Sequence, residues 1–363
     1  MDVHFPRMIA RWILFLFFCP ALFAADEKLT KVTSRLDRTD LLQFHDTNGN
    51  VVQGKTKRDW LKRRAEILAA MQEVMGPLPG KEKRCPLDVK IEEEVDCGSY
   101  IRKLISYQSE PNSRVPAYLL IPKKALEKNA KTRAVLCLHP TDSQFGHKTV
   151  VGLTSKENRS YASELAERGF VTLAAAYPLL ANYNPDWRAL GYQSGTMKAI
   201  WDNVRGIDLL ESLPFVKRGG VAAIGHSLGG HNSIYTAVFD DRIKVIVSSC
   251  GFDSYLDYMD GNIKGWTSAR YMPKLLDYSL AEIPFDFHEM IGLLAPRPFF
   301  VNAPKGDANF KRESVDRVIA AAQPIYKLYG AGKTLRLEHP DCAHDFPNEI
   351  RTAAYEFIEK NLK

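Results

Sequence analysis

The sequence predicts an α/β fold in which a mostly parallel central sheet carries helices on both faces and one inserted cap. From residue 134 onwards, short continuous apolar runs alternate with stretches of helical spacing, as expected for parallel strands buried on both faces and separated by helices. Before residue 134 lie three extended stretches, two of which alternate as strands of an antiparallel sheet edge do. Of the 363 residues, 45% are hydrophobic and 25% charged, a composition that excludes a disordered tail or a low-complexity scaffold.

Residues 1–25 have the order of a secretory signal peptide. Arg7 and Arg11 precede an apolar run over residues 12–23, and two alanines then come before a charged stretch. A helix that spans a membrane needs about 20 apolar residues, and this run is shorter. We therefore expect a secreted or periplasmic protein without a stable membrane anchor.

Residues 26–84 are expected to form an N-terminal helical extension. Residues 57–74 have helical spacing, and the glycines and prolines of residues 76–80 end it. The excess of positive charge, formally +6 for the chain, lies largely in this segment, at Lys55, Lys57, Arg58, Lys62, Arg63 and Arg64. No nucleic-acid-binding motif accompanies this charge, so a solvated helix face is favoured and no nucleic-acid partner is expected.

The cysteines give little indication of disulfides or of a metal site. Five remain once the signal is removed, an odd number that leaves at least one unpaired, and Cys85 with Cys97 is the one pair worth testing. Cys137 and Cys250 lie in apolar, strand-like runs where small buried thiols are common. The sequence has no CxxC pair and no Cys/His cluster, so no metal and no cofactor are expected.

Residues 85–363 are expected to form the main domain, in the layout of an α/β-hydrolase. The predicted strands are residues 89–95, 100–107, 115–121, 134–138, 170–176, 221–224, 243–247, 298–301 and 334–337. The predicted helices are residues 155–168, 195–213, 227–239, 313–329 and 347–362. Antiparallel strands in front and parallel strands behind give this layout. The interval 251–295 is too long for a simple connection and is rich in aromatic residues, so we predict that it forms a cap over the site.

The sharpest motif is GHSLGG at residues 225–230, which follows a predicted strand directly and opens a helix. In that context the pattern GxSxG is typical of a nucleophile elbow, in which the serine occupies a strained turn and the glycines allow close approach of backbone and helix. Five-residue patterns also arise by chance, so the flanking strand and helix give this one its specificity. Ser227 is therefore the predicted nucleophile.

A serine nucleophile needs a base, and the base needs an acid that orients it. In this layout the chain order is serine, acid, histidine. His344 lies in the loop after the last predicted strand and is the predicted base, with His339 as the alternative. Asp307, in the loop after residues 298–301, is the predicted acid, and Asp253 after the preceding strand stays open as the alternative.

Two backbone N–H groups are expected to stabilise the oxyanion of the reaction. One belongs to Leu228, the residue after the nucleophile, and the other to the loop after residues 134–138. Pro140 in that loop has no amide hydrogen, so Thr141 is the predicted donor. Four side chains of this loop and the cap are candidates for binding the substrate: His139, Tyr255, Trp266 and Tyr271.

Several stretches resemble bacterial secreted α/β-hydrolases of the dienelactone-hydrolase-like and acetylxylan-esterase-like group. They are GHSLGGHNS (225–233), GTMKAIWDNVRGIDLLESLP (195–214), GWTSARYMP (265–273) and APRPFFVNAPKGDANF (295–310). The resemblance covers most of residues 85–360 and implies a carboxylic ester hydrolase whose triad positions match Ser227, Asp307 and His344. Two positions depart from the group: dienelactone hydrolases carry cysteine where this chain has Ser227, and Pro140 stands where many relatives have glycine.

The leading hypothesis is a secreted serine esterase that removes small acyl groups, acetyl in particular, from a small-molecule or polysaccharide ester. A serine peptidase of the prolyl-oligopeptidase type shares the core. Its β-propeller, however, needs four to eight blades of about 40 residues, more than the segment before residue 134 offers. A propeller-free aminopeptidase stays open, and so does a binding protein that kept the fold without catalysis.

Overall fold

A hairpin and a long helix open the part of the chain that the computed structural model describes, residues 35–363. These elements are β1 (Gln43–His45), β2 (Val51–Gln53) and α1 (Lys57–Met75). The Thr56 hydroxyl accepts a hydrogen bond from the Asp59 N–H, and the Asp59 carboxylate accepts one from the Thr56 N–H, a capping box that begins α1. The predicted helical extension thus also carries a hairpin, whose three-residue strands are too short to show alternation. The predicted signal peptide, residues 1–25, lies outside the described residues.

A nine-stranded sheet forms the centre of the molecule. Its strands are β3 (Lys90–Asp96), β4 (Tyr100–Glu110), β5 (Ser113–Pro122), β6 (Thr132–Leu138), β7 (Val171–Ala175), β8 (Val216–His226), β9 (Ile243–Ser249), β10 (Phe299–Asn302) and β11 (Leu335–Glu338). Their spatial order is β11-β10-β9-β8-β6-β7-β5-β4-β3. The pairs from β11 through β7 are parallel, and β5, β4 and β3 continue the sheet in antiparallel fashion. The mostly parallel sheet expected from the sequence is confirmed.

Helices cover both faces of this sheet. They are α2 (Tyr161–Glu167), α3 (Gly195–Ser212), α4 (Leu228–Phe239), α5 (Phe287–Leu294), α6 (Arg312–Leu328) and α7 (Asn348–Asn361). α2 and α7 share one core with Val135 and Cys137 of β6, whereas the other helices share the opposite core with Ala134 and Leu136. Successive side chains of a strand point to opposite faces, so one apolar run serves two cores. Within residues 35–363, no helix combines the length and apolar character that a membrane span requires.

The helix predicted from residue 155 begins later than expected. α2 starts at Tyr161 because Asn158 has a φ of 58°, and a left-handed residue cannot continue a right-handed helix. The Asn158 amide instead donates a hydrogen bond to one carboxylate oxygen of Asp345, and Arg159 forms an ion pair with the other. The segment that the sequence assigned to a helix is thus tied to the loop that holds His344.

The predicted cap, residues 251–295, consists of two different parts. Residues 251–286 are largely irregular and include three short 3₁₀ turns, Tyr258–Gly261, Ile263–Trp266 and Pro273–Asp277. α5 follows, is buried along its whole length and packs against α4 and α6. It therefore belongs to the helical layer of the sheet, and the cap ends at residue 286. The sequence did not separate the two parts because both are apolar and aromatic.

β3 forms one of the two edges of the described sheet, and β11 forms the other. The side chains of β3 are mostly exposed, and its pairing with β4 shifts register between Ile91 and Glu93. Such a shift marks a β-bulge, which locally bends and twists a strand. The edge strand is therefore bent and twisted at a run of consecutive acidic residues.

The cysteines in the described part of the chain are free: Cys85, Cys97, Cys137, Cys250 and Cys342. The pair that the sequence singled out for testing, Cys85 and Cys97, is therefore not bonded in this structure. Cys137 and Cys250 are buried, as small thiols in strand-like runs commonly are.

Candidate active site

Ser227 occupies a strained turn between β8 and α4. Its backbone has φ 55° and ψ −120°, a conformation that costs free energy for a residue with a side chain. The turn is fixed by a hydrogen bond of 2.8 Å from the Ser227 N–H to the Ser249 carbonyl oxygen. A Cβ atom at Gly225 would overlap the backbone of Gly229, and one at Gly229 would overlap the Leu138 carbonyl oxygen. Both glycines are thus required for the close approach of β8, α4 and β6.

Asp307 and His344 are hydrogen-bonded to each other. The His344 Nδ1 atom lies 2.9 and 3.0 Å from the two carboxylate oxygens of Asp307, whose side chain is 1% exposed. Burial alone raises the pKa of Asp307, but the hydrogen bond and charge of His344 outweigh it and hold the pKa below its ordinary value. An anionic Asp307 accepts the proton of Nδ1 and leaves Nε2 as the basic atom of the imidazole.

The loop that carries His344 is anchored on both sides. Arg159 forms a 2.6 Å ion pair with Asp345, the next residue, and also contacts the His344 carbonyl oxygen. From the sheet, the Asn302 amide donates a hydrogen bond of 2.9 Å to the Asp345 carbonyl oxygen. Since both anchors hold the residue adjoining His344, they restrict where the imidazole can lie. Neither anchor was expected from the sequence.

The imidazole of His344 lies beside the elbow. Its ring centroid is 4.8 Å from that of His226, the residue that precedes Ser227, and 5.9 Å from that of Phe310. Within residues 35–363 the Ser227 hydroxyl makes no hydrogen bond, so a serine–imidazole bond is not formed in this structure. Hydrogen bonds of catalytic groups are often long before substrate binds and tighten in the complex. The structure thus brings Asp307 and His344 together and places the His344 ring against His226, the residue before Ser227.

The alternative acid and base have other contacts. Asp253 is 1% exposed, and one of its oxygens accepts a hydrogen bond of 3.1 Å from the Lys311 N–H. Burial raises the pKa of Asp253 to about 8, so this acid is mainly neutral at pH 7. His339 lies 2.9 Å from an Asp316 oxygen and 2.6 Å from the Ala303 carbonyl oxygen. Asp307 is therefore the acid that faces His344.

A cavity of about 280 Å³ adjoins the serine. Its lining residues are Thr141, Ser227, Leu228, His231, Tyr258, Gly265, Trp266, Tyr271, Asn309 and Phe310. Both predicted oxyanion donors are among them, and within residues 35–363 neither the Leu228 nor the Thr141 backbone N–H donates a hydrogen bond. Two N–H groups beside a serine can accept the negative charge that develops on a carbonyl oxygen.

Two of the four predicted substrate contacts line this cavity, and two do not. Trp266 and Tyr271 form part of its wall. Tyr255 is fully buried beneath Trp266 and its hydroxyl lies 2.7 Å from the Tyr235 hydroxyl. The assignment of Tyr255 to substrate is corrected here: its ring belongs to the core under the cap, because its polar end already has a buried partner.

His139 also lies away from the cavity wall, so its assignment to substrate is corrected as well. Its Nε2 accepts a hydrogen bond of 3.0 Å from the Tyr177 N–H, and its Nδ1 lies 2.8 Å from the Pro140 carbonyl oxygen, to which it donates. Burial lowers the pKa of His139 to about 4, so the ring is neutral at pH 7. It therefore supports the loop that carries Thr141.

The sequence missed five residues of the cavity wall: His231, Tyr258, Gly265, Asn309 and Phe310. Asn309 and Phe310 donate backbone hydrogen bonds of 2.8 and 3.2 Å to Asp307, so their closeness in sequence to the acid was a usable signal. His231 lies one turn after Ser227 on α4 and could have been placed by helical spacing. Tyr258 and Gly265 lie in the segment predicted as a cap, but that segment has no periodicity from which the sequence could single them out.

Among the described residues, Cys250, Asp307 and His344 have ligand atoms within 4.8 Å of one another, a spacing that a metal ion could use. Burial raises the pKa of the Cys250 thiol well above its ordinary value, and a protonated thiol is a poor ligand. The imidazole and the carboxylate are already paired with each other. The grouping therefore fits a hydrogen-bonded acid and base better than a metal centre.

The sheet topology, the elbow after β8 and the acid and histidine in later loops define the chain as an α/β-hydrolase. A family model described as "Prolyl oligopeptidase family" matches residues 157–281, about a third of the chain. YtaP of Bacillus subtilis, named as a hydrolase, is 25% identical over 310 residues, which cover 82% of this chain and 100% of YtaP. A 4-O-methyl-glucuronoyl methylesterase of Phanerochaete carnosa is 25% identical over 45% of this chain and 45% of its own length.

Solved structures of similar proteins have the same fold. A glucuronoyl esterase from Solibacter usitatus superposes with a TM-score of 0.71 at 19% identity, over 90% of this chain and 98% of that one. A protein of Bacteroides fragilis described as an acetyl xylan esterase has a TM-score of 0.60 at 16% identity, over 88% and 86% of the two chains. The α/β-hydrolase fold that the sequence indicated is confirmed.

Proposed function

We propose that the chain is a serine carboxylic ester hydrolase that acts on carbohydrate esters and removes small acyl groups, acetyl in particular. The observation that carries this proposal is the hydrogen-bonded pair of Asp307 and His344 beside the strained turn of Ser227. A serine in such a turn, next to an imidazole that an acid orients, is equipped for acyl transfer. Export, as expected from residues 1–25, is part of the proposal.

The proposed reaction runs through an acyl-enzyme. Ser227 Oγ attacks the acyl carbon while His344 Nε2 takes its proton, and the carbonyl oxygen gains negative charge next to the N–H groups of Leu228 and Thr141. The alcohol leaves with the proton from His344. Water then gives its proton to His344 and attacks the acyl carbon, which releases the acid and restores the Ser227 hydroxyl. Asp307 remains ionised throughout and keeps Nδ1 protonated.

The cavity wall supports a neutral carbohydrate substrate. None of the lining residues within the described chain carries a formal charge, because burial lowers the pKa of His231 to about 3 and the others do not ionise at neutral pH. Aromatic rings at Tyr258, Trp266 and Tyr271 suit the apolar face of a sugar ring. The similar proteins named above as a glucuronoyl methylesterase, a glucuronoyl esterase and an acetyl xylan esterase support the carbohydrate part of the proposal.

The variant Ser227→Ala tests the role of the serine. We expect kcat for an aryl acetate and for an acetylated xyloside to fall by about 10⁴ to 10⁶, since the nucleophile is lost. A serine-directed phosphonate should label the unmodified chain and not this variant. Ser212→Ala, the same change at the end of α3, is the matched control and should keep its activity. Hydrolysis by Ser227→Ala within tenfold of the unmodified chain would show that another group attacks the ester.

A serine peptidase is the second candidate, because the prolyl oligopeptidase family model matches residues 157–281. An aminopeptidase needs a carboxylate near the serine to pair with the α-amino group of its substrate, and the described cavity wall contains none. Parallel assays of aryl acetates and aminoacyl arylamides separate the two functions. Faster cleavage of the arylamides would replace the esterase proposal with the peptidase.

A further inference from the structure

Two buried polar atoms on the cavity wall lack partners. His231 and Trp266 are 5% and 3% exposed and both line the cavity that adjoins Ser227. Within residues 35–363, neither His231 Nε2 nor Trp266 Nε1 makes a hydrogen bond. A buried polar atom without a partner costs about 1–3 kcal/mol, and such atoms are uncommon in native proteins. Their place on this wall indicates that a ligand supplies the partner.

The two atoms have opposite hydrogen-bonding roles. His231 Nδ1 lies 3.2 Å from the Gly251 carbonyl oxygen, which only accepts, so Nδ1 carries the hydrogen. Burial lowers the pKa of His231 to about 3, so the ring is neutral and Nε2 is an acceptor. The indole N–H of Trp266 can only donate. The wall therefore offers one acceptor and one donor.

The two rings that carry the acceptor and the donor lie side by side. The ring centroids of His231 and Trp266 are 4.8 Å apart, and the ring of Tyr271 packs against both, at 5.7 and 5.8 Å. A hydroxyl group donates one hydrogen bond and accepts another, so a single hydroxyl satisfies both atoms. A carboxylate only accepts and an ammonium group only donates, so each would leave one atom unpaired.

We propose that His231 and Trp266 together bind a free hydroxyl group of the sugar that carries the scissile ester. The pair makes the site specific for an acyl sugar with a neighbouring hydroxyl over an ester that lacks one. Both atoms are screened from solvent on residues that line the cavity. This inference rests on the proposed esterase function and adds to it the chemical group that is recognised.

Two conservative variants test this pair. Trp266→Phe keeps an aromatic ring and removes the N–H. His231→Asn keeps a donor near the position of Nδ1 for the Gly251 carbonyl group and removes the Nε2 acceptor. Trp201→Phe is the matched control, because Trp201 is also buried and its Nε1 donates to Ser109 on another part of the fold.

The measurement is kcat/KM on three substrates: a methyl xyloside with one acetyl group, its monodeoxy analogues, and 4-nitrophenyl acetate. We expect the unmodified chain to prefer the acetyl xyloside over at least one deoxy analogue by tenfold or more, since a site built around a hydroxyl rejects its absence strongly. Trp266→Phe and His231→Asn should each lower this preference about tenfold, so that kcat/KM falls further for the acetyl xyloside than for 4-nitrophenyl acetate. Trp201→Phe should keep the preference.

The outcomes separate this inference from the proposed function. An unmodified chain that hydrolyses 4-nitrophenyl acetate but shows no preference for hydroxyl-bearing substrates overturns the hydroxyl site and leaves the esterase intact. Equal losses on all substrates in both variants would assign His231 and Trp266 a structural role, which also overturns it. An unmodified chain that hydrolyses none of the esters refutes the proposed function, and the hydroxyl site with it.

Discussion

Asp307 and Asp253 lie near the same edge of the sheet, and their surroundings shift their pKa values in opposite directions. Burial tends to raise the pKa of each carboxyl. At Asp307 the contact with His344 opposes burial and the pKa lies below the ordinary value, whereas the pKa of Asp253 rises to about 8. An acid that orients an imidazole must be ionised at neutral pH. Of the two aspartates that the sequence left open, the proposed mechanism therefore favours Asp307, which is hydrogen-bonded to His344.

Asp307→Asn should lower kcat by about 10⁴, because an asparagine amide that donates to Nδ1 would place the proton of His344 on Nε2 and so remove the base. Activity on an aryl acetate at pH 7 is the measurement, with a thermal melt to show that the variant is folded. Asp253→Asn provides the matched control and should retain most of the activity. The reverse ranking of these two variants would make Asp253 the acid.

Asp253→Asn should also change how stability depends on pH. The Asp253 carboxyl has a pKa of about 3.9 in the unfolded chain and of about 8 in the folded protein. Below pH 4 it is protonated in both states, so its titration does not lower the free energy of unfolding. Between pH 4 and 8 the unfolded state loses its proton while the folded state keeps it, and stability falls as pH rises. Asparagine does not titrate, so the Tm advantage of the variant should grow from pH 4 to 8 to a few degrees. An advantage independent of pH would contradict the raised pKa.

At the scale of elements, the elbow depends on how closely β8, α4 and β6 approach. Gly229 lies in the first turn of α4, and a Cβ atom there would overlap the Leu138 carbonyl oxygen at the end of β6. Leu138 leads directly into the loop that carries Thr141. A displacement at this one contact therefore reaches both the turn of the serine and one of the proposed oxyanion donors.

Gly229→Ala should lower activity at least a hundredfold and stability by about 1–3 kcal/mol, the usual cost of overpacking. Esterase assays and urea unfolding measure the two effects. Gly332→Ala is the matched control, since a Cβ there meets only the flexible side chains of Gln323 and Lys327 at 3.3 Å. A Gly229→Ala variant with unchanged kcat would mean that β6 and α4 can separate without cost to the site.

The individual strands, helices and turns show which parts of the fold the sequence could predict and which it could not. The sequence predicted β6 and β9 because strands that are buried on both faces form continuous apolar runs. It predicted the elbow because the close approach of backbone and helix there requires glycine at fixed positions. The hairpin β1–β2 was missed since three residues carry no periodicity. The turns around Tyr258 and Gly265 were missed since their shape follows from packing between distant segments. Asp307 and His344 were predicted from chain order, and the structure shows the hydrogen bond between them. The ion pair of Arg159 with Asp345 could not be predicted, because it requires the folded structure.

On the scale of the whole molecule, buried ion pairs join the N-terminal segment to the helical layer. Arg35 and Arg63 contact the Glu289 carboxylate of α5 at 2.5 and 3.2 Å, and Glu289 is fully buried. Arg38 donates hydrogen bonds to the carbonyl oxygens of Leu280 and Ala281 in the cap. The N-terminal segment is therefore part of the support of the cap and of α5.

Glu289→Gln should lower the free energy of unfolding by about 3–5 kcal/mol, because Arg35 loses its buried counter-charge and Arg63 keeps only that of Glu66. The amide oxygen can still accept the Asp286 N–H that caps α5, so the change isolates the charge. Urea unfolding at pH 7 gives the measurement. Glu349→Gln, an exposed position in the first turn of α7, is the control and should change stability by less than about 0.5 kcal/mol. Equal effects at both positions would show that the buried pairs contribute nothing.

The bulged edge strand β3 has a consequence for how copies of this protein meet. A free strand edge offers unpaired N–H and C=O groups on which another chain can add, and charge and bulges prevent this. At this edge Glu92, Glu93 and Glu94 stand in a row beside the register shift. Two such edges brought together would oppose like charges along a twisted ribbon, which disfavours extension of the sheet from one molecule into the next at this edge.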